Sequence, residues 1–471
     1  MKHTLRPCPA SKKPTHPPAG LLWAAVLART AHFLLRRLHL GHGSTLPGRL
    51  ARALTPGLWS RLKSLPYVRF ILISGTNGKT TTVHILHHLL ADAGWRVESN
   101  TSGANLESGL LTTILLRLPL RGASEPLAFV LEVDEAFLVR LLGWIQPQAL
   151  ILTNFCRDQL DRYGELNTVT ARLAKAMDAL PADLPVILNA DDPGTAGLGR
   201  LRSCSYFGFE AEYAAEAWQS PLEHHTCGVC KADLAYHRTY LGHYGDWYCP
   251  ACRSGRPARQ TALTKIIPDP DGDGASLSIR LCGGEQPAHL KLPGLHNVYN
   301  ALAAVETAAR LGLAPSRIAG GLSRVDPCFG RGEIQRAGKC LIHLFLIKNP
   351  TGANTVLETL SHKPAREIWF LINDRDADGR DVSWLWDVDF EGFWTRNGLP
   401  EAVLISGRRA LDLAVRLDYS GLPKERLTVM PKIKQGLSRI KTRPGEATCY
   451  VLATYTAMLD LRGRIKKAYR W

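Results

Sequence analysis

Three groups of residues have the types and the spacing to do chemistry. The first is Gly75-Thr76-Asn77-Gly78-Lys79-Thr80-Thr81. Its glycines let the backbone turn sharply and present N–H groups to an anion. Lys79 adds a mobile positive charge, and a hydroxyl of Thr80 or Thr81 can ligate Mg²⁺. Such a stretch cradles the phosphates of a nucleotide. It is a shortened form, because the general pattern places a further glycine where this chain has Ile73. The second group is acidic: Glu132-Val133-Asp134-Glu135, with Glu132 the candidate to share Mg²⁺ with Thr80. The third is cysteine: Cys227-x₂-Cys230 and Cys249-x₂-Cys252, separated by eighteen residues. That spacing reads as a tetrahedral Cys₄ zinc site. Four thiolates leave no position for water, so the zinc is read as structural. His225 and His243, in the same region, are read as surface residues rather than ligands.

These groups need elements to position them. The apolar run Val68–Ile73 before the glycine loop reads as a buried strand, and Val83–Leu90 after it as the start of a helix. Ala128–Val133 is a strand ending in the acids. Ala149–Leu152 is another, followed by Thr153, Asn154, Cys156 and Asp158. Pro185–Leu188 is a third, followed by Asn189-Ala190-Asp191-Asp192. Doubly wound sheets place their chemistry just beyond strand carboxyl ends. Residues 222–258, which hold the cysteines, break the alternation with an aromatic-rich ribbon. His296-Asn297-x₂-Asn300 opens an alanine-rich helix, and Gly330-Arg331-x-Glu333 follows. Beyond Lys339 five more strands are expected, near Leu341–Leu346, Glu367–Ile372, Ala402–Ile405, Leu427–Val429 and Cys449–Leu452. Five of the nine residues in Asn373–Asp381 are Asp or Asn, which marks a functional loop. The expected class is α/β. The expected organisation is a basic extension (1–65), disordered over residues 1–19 and then helical; a P-loop domain (66–328) with the ribbon inserted; and a second, Rossmann-like α/β domain (329–471).

A chain of 471 residues, 45% hydrophobic and 21% charged, describes a soluble globular protein. Seven of the eleven cysteines are scattered, which suits a reducing compartment rather than a disulfide framework. The net charge of +16 is unevenly placed: residues 1–65 carry eleven Lys or Arg, and no Asp or Glu precedes Asp92. That asymmetry points to an anionic partner, whether a membrane surface, a phosphorylated substrate or nucleic acid. Leu21–Leu40 is interrupted by Arg29, Arg36 and Arg37. It therefore reads as an amphipathic helix, packed on the body or lying on a bilayer, and not as a spanning segment or a signal peptide.

The glycine loop, the strand-end acid, T-N-x₃-D-x₂-D, N-A-D-D, H-N-x₂-N and G-R-x-E occur in one order, and that order resembles the Mur ligase superfamily of ATP-dependent amide-forming enzymes. Ser44–Arg49, Ser99–Glu107, Asn373–Trp386, Thr454–Arg462 and the Cys₄ insertion look like its MurT family, the synthetase subunits that amidate the D-glutamate of lipid II. The resemblance implies a Mur ligase-like central domain and C-terminal domain. It implies ATP held by Gly75, Thr76, Asn77, Gly78, Lys79, Thr80 and Thr81, with Asn189, Asn297 and Asn300 on the adenine side. Mg²⁺ would sit at Thr80 and Glu132, with Asn154 and Asp158 near the metal and the γ-phosphate, and Arg331 would reach a phosphate from the interdomain hinge. Lys175 is near the spacing at which Mur ligases carry a carbamylated lysine. About sixty-five residues precede the loop, too few for the domain that holds UDP in Mur ligases acting on soluble precursors. The short segment agrees with the resemblance, which implies a lipid-linked substrate at the inner face of the membrane and a protein that is cytoplasmic or peripheral there.

No cysteine sits in a glutaminase context. Ammonia is therefore expected from a separate glutaminase subunit, and the resemblance implies that it is a GatD-like glutamine amidotransferase forming a heterodimer. The resemblance also implies that an Asp of the 373–381 loop completes that partner's Cys-His arrangement. Asp378 is favoured over Asp381, Asp376 and Asp374. The competing readings are an amino-acid-adding ligase resembling folylpolyglutamate synthase, a nucleic-acid-binding zinc-ribbon ATPase and a zinc scaffold with a vestigial nucleotide site. The A-D-G-R-D-V-S-W loop disfavours the first, and intact Lys79-Thr80-Thr81 the last. Nucleic acid is not an expected partner.

Overall fold

The run Val68–Ser74 is buried except at Arg69 and lies in the interior of a nine-stranded sheet. A computed structural model describes residues 16–38, 43–100, 103–155, 166–200, 202–210, 226–270, 272–327, 330–361, 367–442 and 447–468. Residues 1–15, Cys156, Asp158 and His225 lie outside that set. The first sheet begins with β1 (Val68–Ser74), β2 (Arg96–Ser99), β3 (Leu127–Glu132), β4 (Ala149–Leu152), β5 (Val186–Asn189) and β6 (Ser205–Phe209). A separate ribbon follows, β7 (Ala235–Leu241) and β8 (Tyr244–Tyr248). The sheet then resumes with β9 (Thr261–Pro268), β10 (Ala275–Leu281) and β11 (Gly284–Leu290). The order is β11-β10-β9-β6-β5-β4-β1-β3-β2. Strands β1 to β6 are parallel to their neighbours, and β9 joins β6 in parallel. Each of β3, β4 and β5 is buried along its whole length, which is why they read as continuous apolar runs rather than alternating ones.

The steady strand–helix alternation expected up to Arg324 gives way at β9–β11, which form an antiparallel meander at the sheet edge. One face of β10 is buried and the other is wetter, and Cys282-Gly283, both with positive φ, turn the chain into β11. Two cores flank the sheet. One packs helices Lys79–Asp92, Leu295–Arg310 and Pro315–Leu322. The other packs helices Glu107–Arg117 and Glu135–Leu142 together with the N-terminal helices Ala19–Arg37, Leu46–Leu54 and Leu58–Lys63. Among the described residues no helix is long and apolar enough to cross a membrane.

The second sheet contains β12 (Arg331–Ala337), β13 (Cys340–Leu346), β14 (Glu367–Leu371), β15 (Ala402–Ser406), β16 (Leu427–Val429) and β17 (Ala447–Ala453), in the order β12-β13-β17-β14-β15-β16. The five expected strands are parallel. The G-R-x-E segment starts the antiparallel edge strand β12.

Candidate functional site

The glycine loop lies between the end of β1 and the helix Lys79–Asp92. Gly75 and Gly78 both have positive φ. A Cβ at Gly75 would stand 2.3 Å from Thr153 Oγ1, and one at Gly78 would stand 2.1 Å from Asn300 Oδ1. Only glycine fits both the turn and the close approach. Asn154 fixes the loop by a two-way bond: its Oδ1 accepts from Asn77 N at 2.9 Å and its Nδ2 donates to Asn77 O at 2.9 Å. Its main-chain oxygen accepts from Thr76 N at 2.9 Å. Asn154, expected near the metal and γ-phosphate, is thus spent on shaping the loop.

Lys79 is buried and folds back over the loop. It donates to the carbonyls of Gly75 and Thr76 and pairs with Glu135 Oε1 at 3.1 Å. Burial pushes the Glu135 carboxyl above its ordinary range, against the pull of Lys79 and Lys348. Glu135 was legible only as one acid among several. Thr80 Oγ1 donates to Glu132 Oε2 at 2.6 Å, so the two expected Mg²⁺ ligands meet. Glu132 is held by Asn100, which brackets its backbone, and by Asn105, which donates to Oε1 at 3.2 Å. Two oxygens so placed are the hard donors a magnesium ion takes.

The second sheet's unit closes on this loop. Arg331 Nε donates to Thr81 Oγ1 at 3.1 Å, and Asn349 Nδ2 donates to Asn77 Oδ1 at 3.2 Å. Between the two units lies an open cleft of about 1140 Å³. Asn77, Asn189, Asn300, Arg331 and Lys348 are among the residues lining it. Asn189 Oδ1 accepts from Asp191 N, while its buried Nδ2 has no partner among the described residues. That orphan donor suits a ring nitrogen of a base. His296 also lines the cleft with an unpartnered Nδ1, and burial together with Arg331 brings its pKa down to about 3, so the ring is neutral. Asn297 does not face the cleft. It donates to Pro293 O at 2.7 Å, accepts from Asn300 at 3.2 Å and so braces Asn300 against the loop. At helical spacing residues three apart share a face, which lets Asn297 hold Asn300 against Gly78.

The ribbon forms a wall of the same cleft through Leu241, Gly242, His243 and Tyr244. His243, expected on the surface, is buried, stands 3.5 Å from Asp192 and meets Tyr244 edge-on. Trp247 Nε1 donates to Ala190 O at 2.9 Å, and Arg256 pairs with Asp191 at 2.9 Å, which bolts the ribbon to the end of β5. At the far end of the ribbon the sulfurs of Cys227, Cys230, Cys249 and Cys252 lie within 4.8 Å of one another. Sulfurs at Zn–S distances of about 2.3 Å would stand roughly 3.8 Å apart in a tetrahedron. The pairs Cys227–Cys252 and Cys230–Cys249 are 3.6 and 3.4 Å apart, so the cluster fits a tetrahedral metal. Lys175 is exposed on the helix Leu166–Asp178.

In the 373–381 loop the acids have different situations. Asp378 is buried and accepts from Thr456 N at 2.7 Å, Thr456 Oγ1 at 2.5 Å and Arg375 N at 3.1 Å. Asp374 pairs with Arg408 and Arg409, and Asp376 with Arg380. Asp381 is exposed, and its orientation is set by bonds of 2.8 Å from both Ser383 N and Ser383 Oγ. The favoured Asp378 is therefore the loop's buried anchor, whereas Asp381 is the exposed acid.

Comparison with known proteins agrees with this geometry. Residues 73–230 match the Mur ligase middle domain and residues 346–458 the MurT ligase C-terminal model. The chain is 34% identical over 436 residues to the lipid II isoglutaminyl synthase (glutamine-hydrolyzing) subunit MurT of Streptococcus pneumoniae, covering 92% of this chain and 94% of that one. It is 30% identical over 402 residues to the same subunit of Staphylococcus aureus, covering 84% and 87%. Similar solved structures include a pseudomurein peptide ligase type C from Methanothermus fervidus, at TM-score 0.65 and 20% identity over 87% of this chain and 80% of that one. MurF from Acinetobacter baumannii gives TM-score 0.62 and 17% identity over 89% and 80%. The structural likenesses speak for the fold.

Proposed function

We infer, for a chain that belongs to the MurT family of Mur ligases, that it is the synthetase subunit of a glutamine-hydrolysing lipid II isoglutaminyl synthase. The single observation that carries this reading is the meeting of Thr80 with Glu132 on a glycine loop that Arg331 and Asn349 reach from the second sheet. Phosphoryl transfer needs such a closed, charge-neutralising site more than it needs a covalent participant.

The α-carboxylate of the D-glutamyl residue attacks the γ-phosphorus of ATP. The bond to the β-bridging oxygen breaks, leaving ADP and an acyl phosphate. Lys79 and Arg331 balance charge on the transferring group, and Gly75, Thr76, Asn77, Gly78 and Thr81 shape its cradle. Thr80 and Glu132 would hold Mg²⁺, which supplies Lewis-acid neutralisation when bound. Asn189 faces the base, Asn300 packs on the loop and Asn297 supports Asn300. Ammonia then attacks the acyl carbon, phosphate leaves, and the proton lost from nitrogen passes to solvent, giving D-isoglutamine. Closure of the two units keeps water from the acyl phosphate. The four cysteines would hold a structural zinc.

Ammonia comes from a GatD-like glutaminase subunit. The acid offered to that partner is Asp381 rather than Asp378, because Asp381 is exposed and oriented by Ser383. In the complex, Asp381→Asn should cut glutamine hydrolysis by about 10⁴-fold, as loss of a histidine-orienting acid does elsewhere. Amidation driven by added ammonium salt should continue. Full glutaminase activity in that variant would remove Asp381 from the role.

The reading as a whole is tested by incubating the purified complex with lipid II, ATP and glutamine, followed by mass spectrometry. Conversion of –OH to –NH₂ lowers the mass by about one unit per amidation. Unchanged lipid II, or ADP release that requires an amino acid instead of ammonia, would overturn it.

A further inference from the structure

A second cavity, of about 720 Å³, opens between the helix Leu46–Leu54, the start of the helix Glu107–Arg117 and the helix Glu135–Leu142. Arg49, Arg52 and Arg140 line it, with Glu107 as the one acid. Glu107 is already satisfied: Arg52 pairs with it, and Trp59 Nε1 donates to it at 3.3 Å. Arg49 and Arg140 are exposed, and among the described residues neither has an acidic partner. The cavity therefore carries about two uncompensated positive charges, enough to favour a dianion.

The surface beside it is apolar. Leu46, Leu50 and Leu54 form an exposed stripe at four-residue spacing on the helix that carries Arg49. On the adjoining helix, Trp23, Val26 and Phe33 lie exposed on one face, with Trp23 74% and Phe33 60% accessible. The two helices contain no acid. Neither a soluble nucleotide nor nucleic acid accounts for both features. A diphosphate carried on a long hydrocarbon chain does, because the anion fits the arginines and the chain fits the leucine and aromatic stripe.

The cavity is also near the reacting centre. Asn105, which donates to Glu132, is followed directly by Leu106 and Glu107 of the cavity wall. Glu135, the partner of Lys79, begins the helix that carries Arg140 five residues later, about 7.5 Å along the axis.

We propose that this cavity binds the diphosphate of a polyprenyl-linked substrate, with the exposed stripe of the two N-terminal helices set in the bilayer that holds its chain. The proposal rests on the function inferred above and assigns that substrate's anchor. The test uses the whole complex, with wild type and the double variant Arg49→Gln, Arg140→Gln. Both side chains are exposed, so the thermal midpoint checks that the fold is kept. KM is measured for lipid II and for a muramoyl dipeptide that lacks the diphosphate and the prenyl chain. The wild-type preference for lipid II should fall at least tenfold in the variant, mostly through KM. A preference that stays intact overturns this proposal while leaving the function reading in place. Absence of lipid II amidation by wild type overturns the function reading, and the proposal falls with it. Co-sedimentation with phosphatidylcholine vesicles separates the sources of the anion. Vesicles containing a polyprenyl diphosphate should lose the variant, relative to wild type, more than vesicles containing phosphatidylglycerol at equal charge. Equal loss from both means a general phospholipid contact and counts against the assignment.

Discussion

Two walls of the nucleotide cleft are built on different principles. The phosphate loop is fixed from within its own sheet: glycine φ angles, the Asn154 clamp and the folded-back Lys79 all lie within a few ångströms of it. The ribbon tip, Leu241–Tyr244, is held by an insertion packed on its host, with His243 beside Asp192 and Tyr244 against Tyr299. It depends on the bolts at Trp247 and Arg256, and on four cysteines at the other end of the hairpin. The first wall is a property of a strand–turn–helix, and the second is a property of packing between an insertion and its host. The difference separates chemistry from affinity: damage to the loop should stop phosphoryl transfer, whereas damage to the ribbon should loosen nucleotide binding.

The largest expected effect is on the loop. Lys79→Met should lower kcat for ADP release by about 10³-fold, since a charge aimed at the transferring group is worth several kcal/mol. A loss of less than tenfold would mean that Lys79, bonded as it is to Gly75, Thr76 and Glu135, only shapes the loop. A smaller effect is expected at the ribbon. Cys249→Ser, or removal of metal with a chelator, should raise the KM for ATP about tenfold, with a smaller change in kcat, because the tip loses its footing. If KM is unaffected, the two walls are independent and the comparison fails.

Asn189→Ala tests the cleft between them. It should raise the KM for ATP about fivefold at nearly constant kcat, as loss of a neutral hydrogen bond of about 1 kcal/mol predicts. A fall in kcat instead would move Asn189 from binding into catalysis.

The fourth effect is on stability rather than turnover, and it concerns pH. Burial raises the Glu358 carboxyl, which also lines the cleft, from 4.5 to about 8. Between those values the folded chain holds a proton that the unfolded chain has released, so stability falls as pH rises through this window. Glu358→Gln lacks that slope. It should gain on wild type by about 2 kcal/mol between pH 5 and pH 8.5, a linkage reduced by the open cleft. Thermal midpoints that run parallel over this range would show that Glu358 is ordinary.

Much of the nucleotide site was legible because its determinants are local. Gly75, Gly78, Lys79, Thr80 and the strand-end Glu132 are set by a strand, a turn and a helix dipole, and the cysteine spacing by coordination geometry. What escaped depends on contacts far along the chain. His243 became buried because the ribbon packs on Ala190 and Asp191, about fifty residues away in sequence. Asp378 and Asp381 are indistinguishable in a row of acids until Thr456 claims one of them. The β9–β11 meander was missed because its alternation is partial and a strand–helix rhythm was expected to continue.

Thr456 has a neighbour that gives this anchor a mechanical meaning. Tyr455, the first residue of the helix Tyr455–Ala468, brings its hydroxyl within 3.0 Å of where a side chain on Gly103 would begin, beside the segment that holds Glu132. One turn of helix thus touches the nucleotide unit with one residue and grips the acidic loop with the next. A rotation that opens the cleft must draw Tyr455 away from Gly103 and carry Asp378, with the loop behind it, through the same angle. Opening the nucleotide cleft and tilting the 373–381 loop are then a single lever stroke, with Thr456 as its pin.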